Sequence, residues 1–292
     1  MLAPKKNTYI IIPVHNRKLV TTNCLNNLKR NGDLDIYQVI IIDDGSTDGT
    51  SEFIKSEYPK VILLQGDGNL WWTGAIRMGM EYAYEQSANY FIWLNDDCYP
   101  QKGTIDKLLF FCHQDPDLII GSQCIDSSTL EPSYAGISTK RKYFKAIHCQ
   151  SKSIIECDAL NGNLVCFSRN LIDKIGYPDN KIFPHHLGDF VYTNNALKNG
   201  FKLYIHGGAI SFCSQNPQNA SWLYSKKSFK QYWHDFFLQT SPSYWKIQVS
   251  AYESVFGKIG FLYYFYHGFI KFIIIFFILR PLPIKFKQIF KS

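Results

Sequence analysis

The 292-residue chain predicts an α/β fold with a mostly parallel central sheet. Two observations carry that reading. Four short, continuously apolar runs at residues 9–12, 39–42, 61–64 and 90–94 alternate with stretches of helical periodicity. Strands that are apolar throughout, rather than at every second residue, belong to a sheet covered by helices on both faces. Acidic clusters also follow two of these runs, Asp43-Asp44-Gly-Ser-Thr-Asp48 after the second and Asn95-Asp96-Asp97 after the fourth. Charge at the end of a buried strand is costly unless it lies at the strand mouth and serves a ligand.

The elements follow in order. Residues 9–12 form the first strand, and residues 19–30 carry Val20, Cys24, Leu25 and Leu28 at helical spacing. Residues 39–42 are a second strand, and 50–58 a helix for which Ser46 or Thr47 is available as cap. Residues 61–64 are a third strand, followed by the loop Gln65-Gly-Asp-Gly-Asn69, a helix over 73–86 and a fourth strand over 90–94. Beyond Pro100 the pattern loosens, with a helix near 102–112 and strands near 118–123 and 164–168. Residues 188–199 read as a helix stopped by Gly200, followed by a strand at 202–205.

Composition excludes several classes. A hydrophobic content of 46% excludes disorder, and the net charge of +7 is unevenly placed, its Lys and Arg gathering after residue 226. No basic run interleaved with aromatics precedes that tail, so a nucleic-acid groove is not expected. The eight cysteines show no C-x-x-C pair and no zinc spacing, and read as buried thiols in a reducing compartment. The apolar run at 9–13 is too short for a signal peptide and ends in Pro13.

From about Trp222 the composition turns to Tyr, Trp, Phe and Lys, which divides the chain into a domain over 1–221 and a helical, membrane-associating region over 222–292. Residues 259–279 are almost wholly apolar and, as a helix, about 30 Å long, enough to cross a bilayer. His267 and Lys271 share a helical face, Tyr263, Tyr264 and Tyr266 are residues of the membrane interface, and Lys285, Lys287 and Lys291 suit anionic head groups. An interfacial helical hairpin, a span and a packed soluble helix all remain open, with membrane contact common to the first two.

The loop Pro13-Val-His-Asn-Arg17 follows the first strand, so His15 can stack on a base and Arg17 can face phosphate; a polar turn with Asn16 as helix cap is the plainer reading. The cluster from Asp44 to Gly49 fails as a calcium EF-hand because its twelfth position is Lys55. It fails as a haloacid-dehalogenase motif because Asp43 and Asp44 are adjacent. What survives is Asp44 accepting the N3–H of a pyrimidine. Asn95-Asp96-Asp97 can be a mere turn, but with the first cluster at the matching strand end it suits a hard cation shared with substrate diphosphate.

These segments resemble family 2 glycosyltransferases of the GT-A fold, inverting nucleotide-sugar transferases. The matching pieces are Ile-Ile-Pro-Val-His-Asn-Arg17, Val-Ile-Ile-Ile-Asp-Asp-Gly-Ser-Thr-Asp48, Gly68-Asn-Leu-Trp-Trp-Thr-Gly-Ala-Ile-Arg-Met-Gly79 and Trp-Leu-Asn-Asp-Asp97. Leu160-Asn-Gly-Asn-Leu-Val165, Gly188-Asp189 and Gly200-Phe-Lys-Leu203 follow, so the resemblance spans roughly residues 8 to 205. The segment beginning at Gly68 is also similar to rhamnosyltransferase-like bacterial members that build surface polysaccharides.

The resemblance implies a base-binding loop at Pro13, His15 and Arg17, and a uracil- or thymine-reading Asp44. It places Asn69 and Arg77 near nucleotide and sugar, although Arg77 replaces the commoner asparagine. Asp96 falls where the family contacts ribose or metal, and Asp97 where it ligates Mg2+ or Mn2+. Asp189 matches the catalytic base of an acidic pair whose first member is here Gly188. A histidine that many relatives carry after the Gly200 position is absent from Ala209-Ile-Ser-Phe212, so a third protein ligand for the metal is not expected. Trp71, Trp72 and Trp222 are candidate sugar-stacking walls, and His185 and His186 candidate contacts to acceptor or donor sugar.

The implied activity is transfer of a sugar from a UDP- or dTDP-sugar to a glycolipid or lipid-linked oligosaccharide, at the cytoplasmic face of the plasma membrane. A processive polysaccharide synthase is disfavoured by the lack of an array of spanning helices and of a Gln-x-x-Arg-Trp signature. A non-catalytic nucleotide-sugar-binding scaffold is the remaining alternative.

Overall fold

The computed structural model describes residues 7–149, 153–214 and 227–281. The main sheet starts with β1 (Thr8–Val14), β2 (Gln38–Asp43), β3 (Ile62–Gln65) and β4 (Tyr90–Leu94). The helices between them are α1 (Lys18–Asn31), the single turn α2 (Asp33–Ile36), α3 (Thr50–Glu57) and α4 (Trp71–Glu85). A short β5 (Tyr99–Pro100) and α5 (Thr104–Gln114) lead to β6 (Leu118–Ile125). The small strands β7 (Gly136–Ser138), β8 (Lys145–Ile147), β9 (Ile154–Glu156) and β10 (Ala159–Leu160) follow. Next come β11 (Leu164–Ser168), α6 (Asn170–Ile175), α7 (Gly188–Lys198) and β12 (Lys202–Phe212).

The sheet order is β3-β2-β1-β4-β11-β6-β12-β5, with β9 paired to β12. The β1–β2, β2–β3, β1–β4 and β6–β12 pairs are parallel, whereas β11 runs antiparallel to both β4 and β6. β7, β8 and β10 form a separate antiparallel sheet. The expected α/β fold is therefore present, its parallel half interrupted by one reversed strand. Strand order turns about β1: β2 lies on one side and β4 on the other. The ends of β1, β2 and β4 thus open into one crevice, the usual ligand position in such sheets.

Alternation along each strand builds two cores. Ile11, Ile40, Ile42, Phe91 and Trp93 face α4 and its Ile76 and Met80. Ile10, Ile12, Ile41, Ile92 and Leu94 face α1 and α5, meeting Leu25, Leu28 and Leu108. Burying each such side chain stabilises the fold by about 1.5–3 kcal/mol, so the strand ends are anchored from both sides. All eight cysteines are buried free thiols, as the sequence led us to expect.

Residues Lys140–Tyr143 and those beyond Ser214 form a second compact unit. The expected boundary at residues 221 and 222 lies outside the described residues. This unit contains α8 (Phe229–Phe237), closed by a Ser228–Gln231 capping box, and α9 (Trp245–Phe256). Gly257, at φ +72°, ends α9 and turns the chain back. A 3-10 turn (Gly257–Ile259) leads into α10 (Gly260–Tyr264), then into α11 (Lys271–Ile274), with π turns at Phe265–Ile270 and Ile275–Leu279. Gly260 lies so close to α9 that a Cβ there would overlap the Tyr252 carbonyl. The apolar helical stretch Trp245–Leu279 is long enough to cross a membrane but is bent into a hairpin at Gly257.

Candidate active site

The crevice is organised around four carboxylates at strand ends, Asp43 and Asp44 at the end of β2 and Asp96 and Asp97 after β4. Asp44, just past β2 and buried, accepts three backbone N–H groups: Gly68 (2.8 Å) and Leu70 (3.2 Å) at Oδ1, and Trp71 (2.9 Å) at Oδ2. The carboxylate thereby caps α4 and fixes the 66–71 loop. The helix accordingly begins at Trp71 rather than at the expected residue 73, with Trp71 itself at φ +56°. Asp43, fully buried, has a different task. It accepts Ser46 N (2.9 Å) and the Ser51 hydroxyl, tying the turn to α3.

The loop after β1 closes over this turn. His15 Nδ1–H donates to the Asp44 carbonyl (2.5 Å) and its Nε2 accepts from Asn16 Nδ2 (3.0 Å), which selects the Nδ1–H tautomer. Asn16, at φ +50°, does not cap α1. Its Oδ1 accepts Thr47 N (2.7 Å), and its own N–H donates to Ser46 Oγ (2.8 Å). Neither Ser46 nor Thr47 caps α3. Asp48 does that work, accepting Thr50 N (3.1 Å) and Lys18 N (2.9 Å). Pro13 remains within β1, opposite Ile42 of β2.

Arg17 bridges the second acidic cluster, with Nη1 3.1 Å from Asp96 Oδ1 and Nη2 2.9 Å from Asp97 Oδ2. Asp96 is buried and its other oxygen takes the Thr21 hydroxyl (3.0 Å). Burial pushes its pKa up to about 6, against the pull of Arg17 and with a smaller push from Asp97. Asp97 is half-exposed, and its Oδ1 lies 4.0 Å from the Cys213 thiol, which also takes a hydrogen bond from Asn163 Nδ2 (3.1 Å).

Among the described residues no group of three His, Cys, Asp or Glu side chains is placed to hold a metal. The donor chemistry fits a hard divalent cation only as one that arrives with a diphosphate. Asp97 offers the accessible carboxylate oxygen, whereas Asp96 is turned inward onto Arg17 and Thr21.

Asp189 opens α7. Its Oδ2 accepts Gly162 N (2.7 Å) and its Oδ1 Phe190 N (2.8 Å). Burial of the carboxyl pushes its pKa above the ordinary carboxylate range, against those two backbone bonds. A Cβ at Gly162 would overlap the Trp72 ring and lie 3.1 Å from Asp189 Cβ, so glycine is what lets the Asp189 carboxylate and the Trp72 indole close around one loop. Trp72 donates Nε1–H to Asn95 Oδ1 (2.8 Å) and meets Trp93 edge-on at 5.6 Å, linking the Asp189 side of the crevice to the Asp96–Asp97 turn.

Gly188 is also explained. A Cβ there would overlap Thr73 Oγ1, and Thr73 is locked to the same loop by its N–H bond to Pro184 O (2.9 Å). The acid missing from the pair has no room.

The aromatic candidates divide. Trp71 is 41% exposed and lies against the exposed His185, tilted by 50° with centroids 5.3 Å apart; His185 and His186 are 4.3 Å apart. Desolvation, with a smaller push from the His186 ring, takes His185 down to about 4, so it is a neutral ring at pH 7. Asn69 is exposed, its N–H bonded to Asp67 Oδ1 (2.8 Å). Arg77 is engaged away from the acidic turn, by Glu81 (2.8 Å) and the face of Tyr177 (5.7 Å). Trp222 lies outside the described residues. Thr21, Asn95, Gly162 and Thr73 were not singled out as site residues from sequence, although Thr73, Asn95 and Gly162 stand inside the matched motifs.

Solved structures share this architecture at 13–15% identity, a level that shows the fold alone. GalNAc-T7, solved with UDP, GalNAc and Mn2+, superposes at a TM-score of 0.58 over 78% of this chain and 47% of its own, at 15% identity. TarS of S. aureus gives 0.57 over 94% and 55%, at 13% identity. The mannosyltransferase PcManGT of Pyrobaculum calidifontis, solved with GDP-Man and Mn2+, gives 0.55 over 90% and 75%, at 13% identity. In sequence the chain is 27% identical over 128 residues to the uncharacterized protein MJ1222 of Methanocaldococcus jannaschii, covering 44% of this chain and about half (51%) of that relative. Residues 9–160, just over half of the chain and containing every strand end that forms the Asp44 and Asp97 clusters, match the profile described as Glycosyl transferase family 2. With the GT-A-like sheet beneath that crevice, the chain belongs to glycosyl transferase family 2.

Proposed function

We propose that this glycosyltransferase moves a hexosyl unit, with inversion, from a UDP- or dTDP-sugar to a glycolipid or lipid-linked oligosaccharide at the cytoplasmic face of the plasma membrane. The donor class rests on Asp44, whose edge matches the N3–H of uracil or thymine. A rhamnosyltransferase-like role in surface polysaccharide assembly rests on the segment from Gly68 to Gly79. The observation that carries the enzymatic reading is Asp189. It is a single carboxylate, held by two backbone N–H groups at a helix start and shifted upward by burial.

Asp189 accepts the proton of the acceptor hydroxyl as that oxygen attacks the anomeric carbon from the face opposite the nucleotide. A shifted carboxylate suits this task, because its proton affinity lies nearer that of the group it deprotonates. Arg17 holds Asp96 and Asp97 at the diphosphate end and limits the negative charge a donor meets there. Asp97, with Asp96 behind it, would hold Mg2+ or Mn2+, which when bound supplies charge neutralisation for the leaving diphosphate.

A thermal-shift panel of UDP-, dTDP-, GDP- and CMP-sugars, with and without Mn2+, tests the donor reading. A ligand at about a hundredfold over its Kd adds roughly 2.7 kcal/mol. Asp189→Asn is expected to retain that shift while turnover falls by about 10²–10⁴. Turnover that survives the substitution would refute the assignment of the base, and a folded protein that shifts with no donor would favour a scaffold.

A further inference from the structure

The apolar arm of the second unit has an unusual geometry. In a regular α-helix every fourth residue advances about 40° around the axis, so Leu262 and Ile278 should be separated by about 160°. Yet Leu262 (61%), Tyr266 (62%), Ile274 (42%) and Ile278 (59%) are all exposed, while Gly260, Tyr264 and Phe272 are buried along the opposite edge. Phe261, Phe265 and Phe277 repeat the exposed pattern one position earlier. The two π turns widen the coil over 11 of the 20 residues from Gly260 to Leu279 and remove the drift. The result is a straight apolar ridge about 24 Å long.

Neighbouring elements line parts of the other sides of the arm, where Gly260, Tyr264 and Phe272 are buried. Phe229 of α8 meets Phe272, Phe276 and Phe277, and Phe236 meets Tyr264 and Phe269, so α8 runs antiparallel beside the arm. Arg280 Nη1 closes that pairing on the Lys227 carbonyl (2.9 Å). On another side Tyr143 packs against His267, and Lys142 lies over the Phe256 and Tyr263 rings.

We infer that this ridge lies in the plane of an anionic membrane surface, with the arm seated in one leaflet rather than crossing the bilayer. The partner helix decides between the two orientations. α8 carries the exposed Lys230, Gln231 and His234 alongside the arm, and its Asp235 pairs with Lys227, just before the helix (2.8 Å). If the arm spanned, those groups would enter hydrocarbon, at about 2.5–3.5 kcal/mol per charged residue near the centre. In the plane, Leu262, Tyr266, Ile274 and Ile278 enter the acyl boundary while the charged face of α8 stays in water. The sign of the lipid follows from charge. Residues 227–281 hold six Lys or Arg against two acids, Asp235 and Glu253.

Membrane partition needs no nucleotide sugar, so this inference and the donor reading fail separately. The full chain, carrying a C-terminal tag, is mixed with sealed vesicles of phosphatidylcholine alone or with added phosphatidylglycerol, and floated. It is expected to float with the anionic vesicles, to release into alkaline carbonate, and to leave its tag open to external protease. Leu262→Glu with Ile278→Glu, both at exposed positions, is expected to lower partition about tenfold or more with an unchanged circular dichroism spectrum. Lys258→Glu with Lys271→Glu is expected to abolish the preference for phosphatidylglycerol. Protection of the tag, or resistance to carbonate, would show a span and overturn the proposal. So would failure to float from a protein that forms dimers which Leu262→Glu dissolves, because the ridge would then serve a second copy.

Discussion

Gly188→Ala is the sharpest perturbation of the wall that carries Asp189. The new Cβ would overlap Thr73 Oγ1 and lie 3.1 Å from Thr73 Cγ2 and 3.2 Å from Phe183 O. Thr73 is buried, and its N–H bond to Pro184 O ties the start of α4 to the loop before α7, so neither side can simply step back. Overpacking of this kind costs about 1–3 kcal/mol. Ala returns about 0.5–1 kcal/mol over Gly in a helix, leaving a net loss of about 0–2.5 kcal/mol. In a domain of this size that is a fall in Tm of up to roughly 10 °C. Asp189 follows directly, and on the proposal that it is the base, a displacement of about 1 Å would cost on the order of 10²-fold in turnover. Thr73→Ala removes both clashing atoms, including a hydroxyl oxygen with no hydrogen-bond partner. Gly188→Ala should therefore be neutral or stabilising in that background, a coupling of about 1–3 kcal/mol. Thr73→Ser keeps the oxygen and should give no relief. Urea denaturation of the four combinations reads the cycle. If Gly188→Ala costs the same with Thr73 present and absent, the steric account of the missing acid is wrong.

Three further outcomes follow from the same geometry. Burial raises Asp96 from 3.8 to about 6, so the folded chain holds this proton more tightly than the unfolded chain. Its contribution is most favourable below about 3.8, declines as pH rises through 3.8 to 6, and stays at its lower value above. The difference between wild type and Asp96→Asn should change by roughly 3 kcal/mol across that window, at 1.36 kcal/mol per unit; a rise with pH instead would contradict the burial of the carboxyl. Asp44→Asn leaves one acceptor oxygen for three N–H donors and should cost about 1.5–3 kcal/mol, with a change in Trp fluorescence as Trp71 loosens; an unaltered urea midpoint would show that the cradle is not supporting the loop. Trp72→Phe removes the bond to Asn95 and should cost about 1 kcal/mol while donor affinity is kept; a loss of donor binding without loss of stability would place Trp72 against the donor itself.

Much of the fold was legible because strand and helix are both written in periodicity. β4 and β11 lie where continuous apolar runs predict them, and the acidic clusters end the strands they were expected to end. What periodicity does not encode is direction. The run at 164–168 reads as one more strand, and nothing in it announces an antiparallel neighbour for β4 and β6. β12 continues to Phe212, beyond the expected end at residue 205, because its alternating burial is spread across small and polar residues such as Gly207, Gly208 and Ser211. The start of α4 shifted by two residues because a distant carboxylate, Asp44, supplies its cap. The role proposed for Asp189 comes only from the family pattern, since one Asp at a helix start is locally an ordinary residue. Arg77 was placed near the donor by its motif position alone; in the structure it pairs with Glu81 one turn along.

The three amides on Asp44 change what selectivity for a donor can mean. On the proposed donor reading, a ring N–H arriving at Asp44 does not find a bare acceptor. It must share oxygens that already organise the chain from Gly68 to Trp71. Affinity for a base then measures an exchange of one amide for another, together with the work of loosening a loop that ends in the Trp71 indole. Two nucleotides with the same hydrogen-bonding edge can differ in affinity solely through how much of that loop each leaves in place. Changes at Gly66 or Gly68 could accordingly retune donor preference without touching any atom of the donor.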